Sequence, residues 1–288
     1  YARNGLFIYI PRGVRLEKTL QSLFWASGEN LAHYSMLLIY LDKNASLTYI
    51  HETSSADDQE GPSLVGENIE IYVGPGSHLK FIELQTLGRN VWNFGHQKAI
   101  VDQEGSLDWV IASLGSRLTK RFLSVDLQGQ GADGKVSGMV FGDGSQHLSY
   151  NTRQNHLAPR SNSDLLFKGA LTGSSRSVWR GMIYVAPDSR FIDGYQANRN
   201  LVLDHKSRMD SIPGLEILNN DVRCTHGSTI GKIDEEQLFY LKARGVPRRE
   251  AVRLIVHGFF EDVMQRIPFE AVQKRLNQII DQKLSRQA

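Results

Sequence analysis

Cys224 is the chain's single cysteine, and His226 follows two residues later. In an extended strand, residues i and i+2 project to the same face. A thiolate beside an imidazole is a donor pair for a soft or borderline cation such as iron, zinc or copper(I). The same imidazole, when protonated, would lower the thiol pKa and raise its nucleophilicity. Two ligands do not complete a metal site, so the rest would come from another chain. A single cysteine also packs well as a small hydrophobe, so spacing alone leaves an inert thiol open.

The pair sits where the sequence period changes. Up to about residue 230 the chain alternates short strands and turns, with strands expected at Leu6–Ile10, Met36–Leu41, Leu47–His51, Ile69–Val73, Leu79–Glu83, Leu107–Ala112, Arg121–Leu127 and Met182–Val185. No helix of 12 or more residues is expected there. A weak repeat of turn, serine and apolar strand places Ser46, Ser77 and Ser106 about 30 residues apart, a period typical of stacked coils. A β-sandwich with ordinary turns would read the same way. The stretch Ser54 to Gly66, with Asp57, Asp58 and Glu60, reads as a mobile insertion.

Beyond Gly231 the pattern turns helical. Asp234 is placed to cap a short helix with Gln237 at N3, ending near Ala243 or Arg244 with Gly245 just past it. Pro247 opens a second helix whose stripe is Val252, Ile255, Val256, Phe259, Phe260 and Val263. Pro268 opens a third, with Phe269, Val272, Leu276, Ile279 and Ile280 on one face. The division expected is a β body over 1–231 and a helical domain over 232–288.

Other motifs carry less. Gly129-Gln-Gly-Ala-Asp-Gly134 has the dinucleotide-binding spelling, but strand-like sequence follows it rather than a helix, so a strand-connecting turn is expected. His51 and Glu52 are adjacent donors expected at an exposed strand end. Phosphate-loop, nucleophile-elbow and zinc-protease motifs are absent. Lys and Arg number 33 against 31 Asp and Glu, a net charge of +2. That balance gives no electrostatic footprint for nucleic acid. No apolar run approaches the ~20 residues that span a bilayer. One cysteine fits a reducing compartment, here the cytoplasm or a plastid stroma. The opening Tyr1-Ala-Arg-Asn-Gly lacks a secretion pattern and an initiator methionine, so sequence upstream is expected.

The series Asp193-Gly-Tyr-Gln-Ala-Asn-Arg-Asn-Leu-Val-Leu, then Asp210-Ser-Ile-Pro-Gly-Leu-Glu-Ile, then Asp221-Val-Arg-Cys-Thr-His-Gly-Ser-Thr-Ile-Gly-Lys-Ile-Asp-Glu-Glu-Gln-Leu-Phe-Tyr-Leu resembles the SufB/SufD family of the SUF iron–sulfur cluster assembly system. The resemblance is dense from about Phe191 to Gly245. It implies a right-handed parallel β-helix, mainly β, with a C-terminal α-helical domain, and a helical N-terminal region outside this chain. Within the family the chain is more similar to SufD, because SufB members tend to carry a Glu-His-Glu-type sequence where Cys224-Thr-His226-Gly stands.

What this resemblance implies is a non-enzymatic scaffold in a complex of SufB, SufD and the ABC-type ATPase SufC. His226 would lie at the SufB–SufD interface where a nascent cluster forms, with Cys224 as a supporting thiol. Neither residue would hold a permanent cofactor; a transient iron–sulfur cluster or iron would be the cargo. The segment Asp234 to Ile267 would dock SufC, with Asp234, Glu235, Glu236, Gln237, Phe239, Tyr240, Arg244, Val252, Ile255 and Phe259 as contacts. Two other readings stand beside it: a self-paired homodimer acting as carrier or storage form, and a polysaccharide-active β-helix enzyme, whose paired carboxylates no spacing here identifies.

Overall fold

The protein is described from a computed structural model covering residues 4–57 and 61–286. Sixteen strands alternate between two eight-stranded parallel sheets. One holds β1 (Asn4–Ile10), β3 (Ala32–Leu41), β5 (Ser63–Val73), β7 (Val91–Val101), β9 (Leu118–Leu127), β11 (His147–His156), β13 (Arg176–Val185) and β15 (Arg208–Ile217). The other holds β2 (Leu20–Trp25), β4 (Ser46–Ser54), β6 (His78–Thr86), β8 (Ser106–Ser113), β10 (Asp133–Gly142), β12 (Asn162–Leu171), β14 (Ile192–Val202) and β16 (Val222–Lys232). Each coil thus contributes one strand to each sheet. This is the parallel β-solenoid expected, and not a sandwich.

The two sheets enclose a mainly apolar interior. Alternate residues face inward, and ladder neighbours stack into columns from coil to coil. One column runs Tyr49, Phe81, Trp109, Val136, Leu165, Gln196, His226. Its first rings lie 5.7 and 5.3 Å apart, a separation that favours aromatic pairing. The neighbouring column runs Leu47, Leu79, Leu107, Gly134, Ser163, Gly194, Cys224.

The turns explain the repeat. Asn44, Gly76, Glu104, Gly131 and Arg160 all have left-handed φ, between +51° and +72°. Each donates its N–H to a carbonyl in the next coil, at 2.8–3.1 Å. The serines are not equivalent, however. Ser46 pairs with His78, and His78 with Ser106, so Ser77 stands one position earlier. It is buried, donates to the Asp42 carbonyl and accepts from Ala45 N–H. Gly129 to Ala132 lie in the connection from β9 into β10, as expected of a turn, and Asp133 and Gly134 already belong to β10. The expected insertion is shorter than read: Ser54 ends β4, and Ser63 to Gly66 belong to β5. Asp58 and Glu60 lie outside the described residues, as do Tyr1 to Arg3.

Three helices follow: α1 (Glu235–Ala243), α2 (Arg248–Met264) and α3 (Glu270–Ser285). Asp234 Oδ1 accepts from Glu236 N and Gln237 N at 2.9 and 3.3 Å, the expected cap. At the other end Gly245 has φ +84°, with Gly245 N–H bonded to Lys242 O and Val246 N–H to Leu241 O. That is a Schellman ending, which needs a residue tolerant of left-handed φ. α2 and α3 lie against the outer face of the even-numbered sheet. Val256, Phe260, Val263, Leu276 and Ile280 share one buried cluster with Ile82, Val110, Met139, Phe141 and Ala170.

Charged contacts fasten the same layer. Lys168 Nζ reaches Asp262 Oδ2 at 2.5 Å and the Phe259 carbonyl at 2.7 Å. Arg275 grips Glu52 with both nitrogens, at 2.5 and 2.7 Å. Lys283 Nζ meets Asp143 Oδ1 at 2.5 Å.

Candidate functional site

β16 pairs only with β14, so it forms the open end of its sheet. Cys224 and His226 are both on this strand, at inward-facing positions that no further coil covers. They share a face, as two-residue spacing requires. His226 is exposed and Cys224 half-buried, packed beside Ile183, Val185, Ile192 and Val222. Burial pushes the Cys224 thiol pKa up and the Asp193 carboxylate adds to the rise, while a backbone hydrogen bond from Gly194 opposes both. The shift is thus opposite in direction to the lowering expected from an adjacent imidazolium. Among the described residues no group of three or more ligating side chains is gathered, so the pair stands as an incomplete donor set.

The helical contacts divide in two. Glu235, Glu236, Gln237, Phe239, Tyr240 and Arg244 are exposed on α1, Phe239 at 73% and Tyr240 at 58%. Two aromatics this open beside a buried Leu238 make an apolar patch of the kind that partner surfaces use. Arg244 stacks over the Tyr240 ring at 5.1 Å. Ile255 faces the same groove, with Asp234 and Leu241. Val252 and Phe259 are half-buried and pack against the cluster between the helices and the solenoid.

The His51–Glu52 pair is not at an exposed strand end. Both residues are buried, and they point to opposite faces of β4. Glu52 faces outward to Arg275. His51 faces inward, with Nδ1 at 2.8 Å from Ser22 Oγ and Nε2 at 2.7 Å from Glu67 Oε1. Glu67 meets Arg121 Nη1 at 2.8 Å, and Arg121 meets Glu83 at 3.2 Å and Asn93 at 2.9 Å. This buried charged core went unread because isolated polar residues in strands pass for solvent-facing ones. The signal was parity: His51 keeps step with inward Leu47 and Tyr49.

His156 is a second buried imidazole the spacing did not single out. It lies between Ser161 Oγ and Ser163 Oγ, each at 2.8 Å. Burial pulls its pKa down to about 4, against a small opposing pull from Asp193. The folded pKa is below the unfolded value near 6.5, so the unfolded chain binds the extra proton. Stability from this residue is full above pH 6.5 and falls as pH drops toward 4, by about 3 kcal/mol in total. Urea midpoints measured from pH 7 to 4 should fall less steeply for His156→Asn; identical slopes would refute this.

The stacked coils end on an unfinished donor pair, and a helix with two exposed aromatics follows it in the chain. Comparison with known proteins gives the family. The family model for the SUF system FeS cluster assembly, SufBD core domain, matches residues 24–259. The iron–sulfur cluster assembly protein SufB of Bacillus subtilis is 32% identical over 270 residues, covering 93% of this chain and 57% of that protein. SufBD family iron–sulfur cluster assembly proteins of Staphylococcus saprophyticus and Staphylococcus epidermidis are each 31% identical over 267 residues, with the same coverage. The chain belongs to the SufBD family, and it spans a little over half the length of these relatives. No helix among the described residues is long and apolar enough to cross a membrane.

Proposed function

We propose that this chain is a scaffold subunit, without catalysis of its own, on which iron–sulfur clusters are assembled at an interface with another chain. The observation that supports this best is the end of the solenoid: two inward-facing columns finish on Cys224 and His226 with no coil above them. Whatever chain closes that end completes both the core and the ligand set. Its partner would be a SufB-type chain, with this one in the SufD position, or a second copy of itself. His226 would serve as ligand or proton carrier and Cys224 as supporting thiol, for a transient cluster or iron that is cargo.

The second partner would be a SufC-type ATPase, held by the segment 232–288 through Phe239, Tyr240 and the acidic first turn of α1. The half-buried Val252 and Phe259 of α2 would add to that contact. Such a subunit would work in the cytoplasm or a plastid stroma. Capture of the chain by immobilised SufC-type ATPase should fail for Phe239→Ala/Tyr240→Ala, at no loss of melting temperature. An intact chain that does not bind the ATPase would sink the scaffold reading. His226→Ala in the assembled complex should lower cluster yield without dissolving the complex; unchanged yield would remove His226 from the site.

A further inference from the structure

Even-numbered strands pass into odd-numbered ones along one corner of the solenoid. Arg89 lies on the connection after β6, Asp143 after β10, Gly173 after β12 and Lys206 after β14. Helix α3 closes the side of this corner and leaves two adjoining clefts. One, of about 500 Å³, runs between α3 and the earlier connections; the other, of about 560 Å³, continues over Gly144, Gly173 and Ser174. Each is within the ~300–1,000 Å³ typical of small-ligand sites. They meet at Arg89, Asp143 and Arg286, which line both.

The charges at that junction are unequal. Asp143 is buried, and three cations converge on it: Lys283 Nζ at 2.5 Å from Oδ1, Arg89 through Nη2, and Arg286 Nη1 at 4.0 Å. One carboxylate does not neutralise three cations. Burial pulls the Lys283 pKa down to about 8; Asp143 opposes the fall, and the charges of Arg89 and Arg286 add to it. Asp204 Oδ2 accepts from Thr172 Oγ1 and Gly173 N–H at 2.7 and 2.6 Å, and Asp57 holds Arg286 Nη2 at 2.8 Å from an exposed position. Lys206 adds a cation to the second cleft, so the surplus stays positive. Arg89 Nη1 stands beside Gly144 in that cleft, 3.3 Å from where a methyl group at 144 would sit. Arginine and lysine only donate, and the guanidinium fork matches the oxygens of a phosphate.

We infer that the junction of the two clefts binds a phosphate group, free or carried on a small molecule, between the guanidinium groups of Arg89 and Arg286 with Lys206 as a third donor. Asp57, held by an exposed contact that solvent screens, gives up Arg286 to the ligand. Beyond the phosphate the first cleft has an apolar wall of Trp25, Leu87, Leu114 and Ile279, against which a flat organic part can lie. The inference goes beyond the scaffold reading, since none of these residues belongs to the Cys224–His226 pair or to the exposed face of α1.

Isothermal titration calorimetry of the full chain with phenyl phosphate and with inorganic phosphate, at fixed ionic strength, tests this. Phenyl phosphate should bind saturably at one site per chain. Arg89→Gln and Arg286→Gln should each weaken it about tenfold or more, the worth of a charge-assisted hydrogen bond. Lys206→Gln, at an exposed position, should weaken it about threefold. It decides the matter together with Arg286→Gln should Arg89→Gln fail to fold. Tighter binding of phenyl phosphate than of inorganic phosphate assigns the site to a phosphorylated ring compound, and equal binding assigns it to free phosphate. No saturable binding of either probe overturns the inference. So does binding unchanged in Arg286→Gln and Lys206→Gln, which would place the anion elsewhere.

Discussion

Arg121→Met should destabilise the protein by on the order of 3–5 kcal/mol at neutral pH, the usual effect of breaking a buried ion pair from one side. Arg121 is 2% exposed and stands between two carboxylates. Burial alone would push the Glu67 carboxyl up; Arg121 and His51 more than reverse it and hold it far below the ordinary range. Glu83 goes the other way. Burial raises it, Arg121 opposes, and the Glu67 charge beside it adds to the rise. One guanidinium thus keeps one carboxylate ionised while the second tends to hold its proton.

Without Arg121, Glu67 has no cation unless His51 charges, and both glutamates become proton binders in the folded state. A raised folded pKa gives stability that is lost as pH rises, so the deficit of the variant should be larger at pH 7 than at pH 5. Pairing Arg121→Met with Glu67→Gln should recover at least half of it, since the orphaned charge causes most of the damage. Urea unfolding at both pH values measures all three quantities. A loss under about 1 kcal/mol at pH 7 would mean that water or a rearranged His51 already screens the site.

Phe260→Ala should be comparably severe, about 3–5 kcal/mol, but its damage should be local. Phe260 is fully buried between α2 and the sheet, with its ring 6.2 Å from Phe141. The coils beneath do not need it for their own ladders. Amide hydrogen exchange should therefore quicken in α2 and α3 while the strands facing the inner core keep their protection. Equal quickening in both would show that helices and coils unfold as one unit.

The coils were legible because inward positions in the strands from Leu37 to Val185 are mostly aliphatic or aromatic, and the turns between them are short and glycine-rich. The helical layer was legible from Asp234, Gly245, Pro247 and Pro268, each of which acts through its own backbone chemistry. The charged core was not. His51, Glu67, Glu83 and Arg121 lie up to 70 positions apart, and only the coil-to-coil register brings them together. His156 was hidden for the same reason, since Gly194 and Cys224 approach it across the solenoid. The exposed face of α1 was legible as composition, but its boundary with the packed face of α2 depends on where α1 lies. Cys224 and His226 stood out as a pair; their place at the end of two inner columns did not.

β4 carries two neighbouring residues with opposite obligations. His51 must enter the core to meet Glu67, and Glu52 must leave it to meet Arg275 on α3. A slip of one residue would exchange them, since it inverts every side chain in a strand. It would leave Arg275 facing an imidazole and bring a second carboxylate against Glu67. The strand is thus proofread from both faces at once. A coil assembled out of phase would fail to recruit the C-terminal helix, so that helix reports on whether coils far upstream were wound correctly.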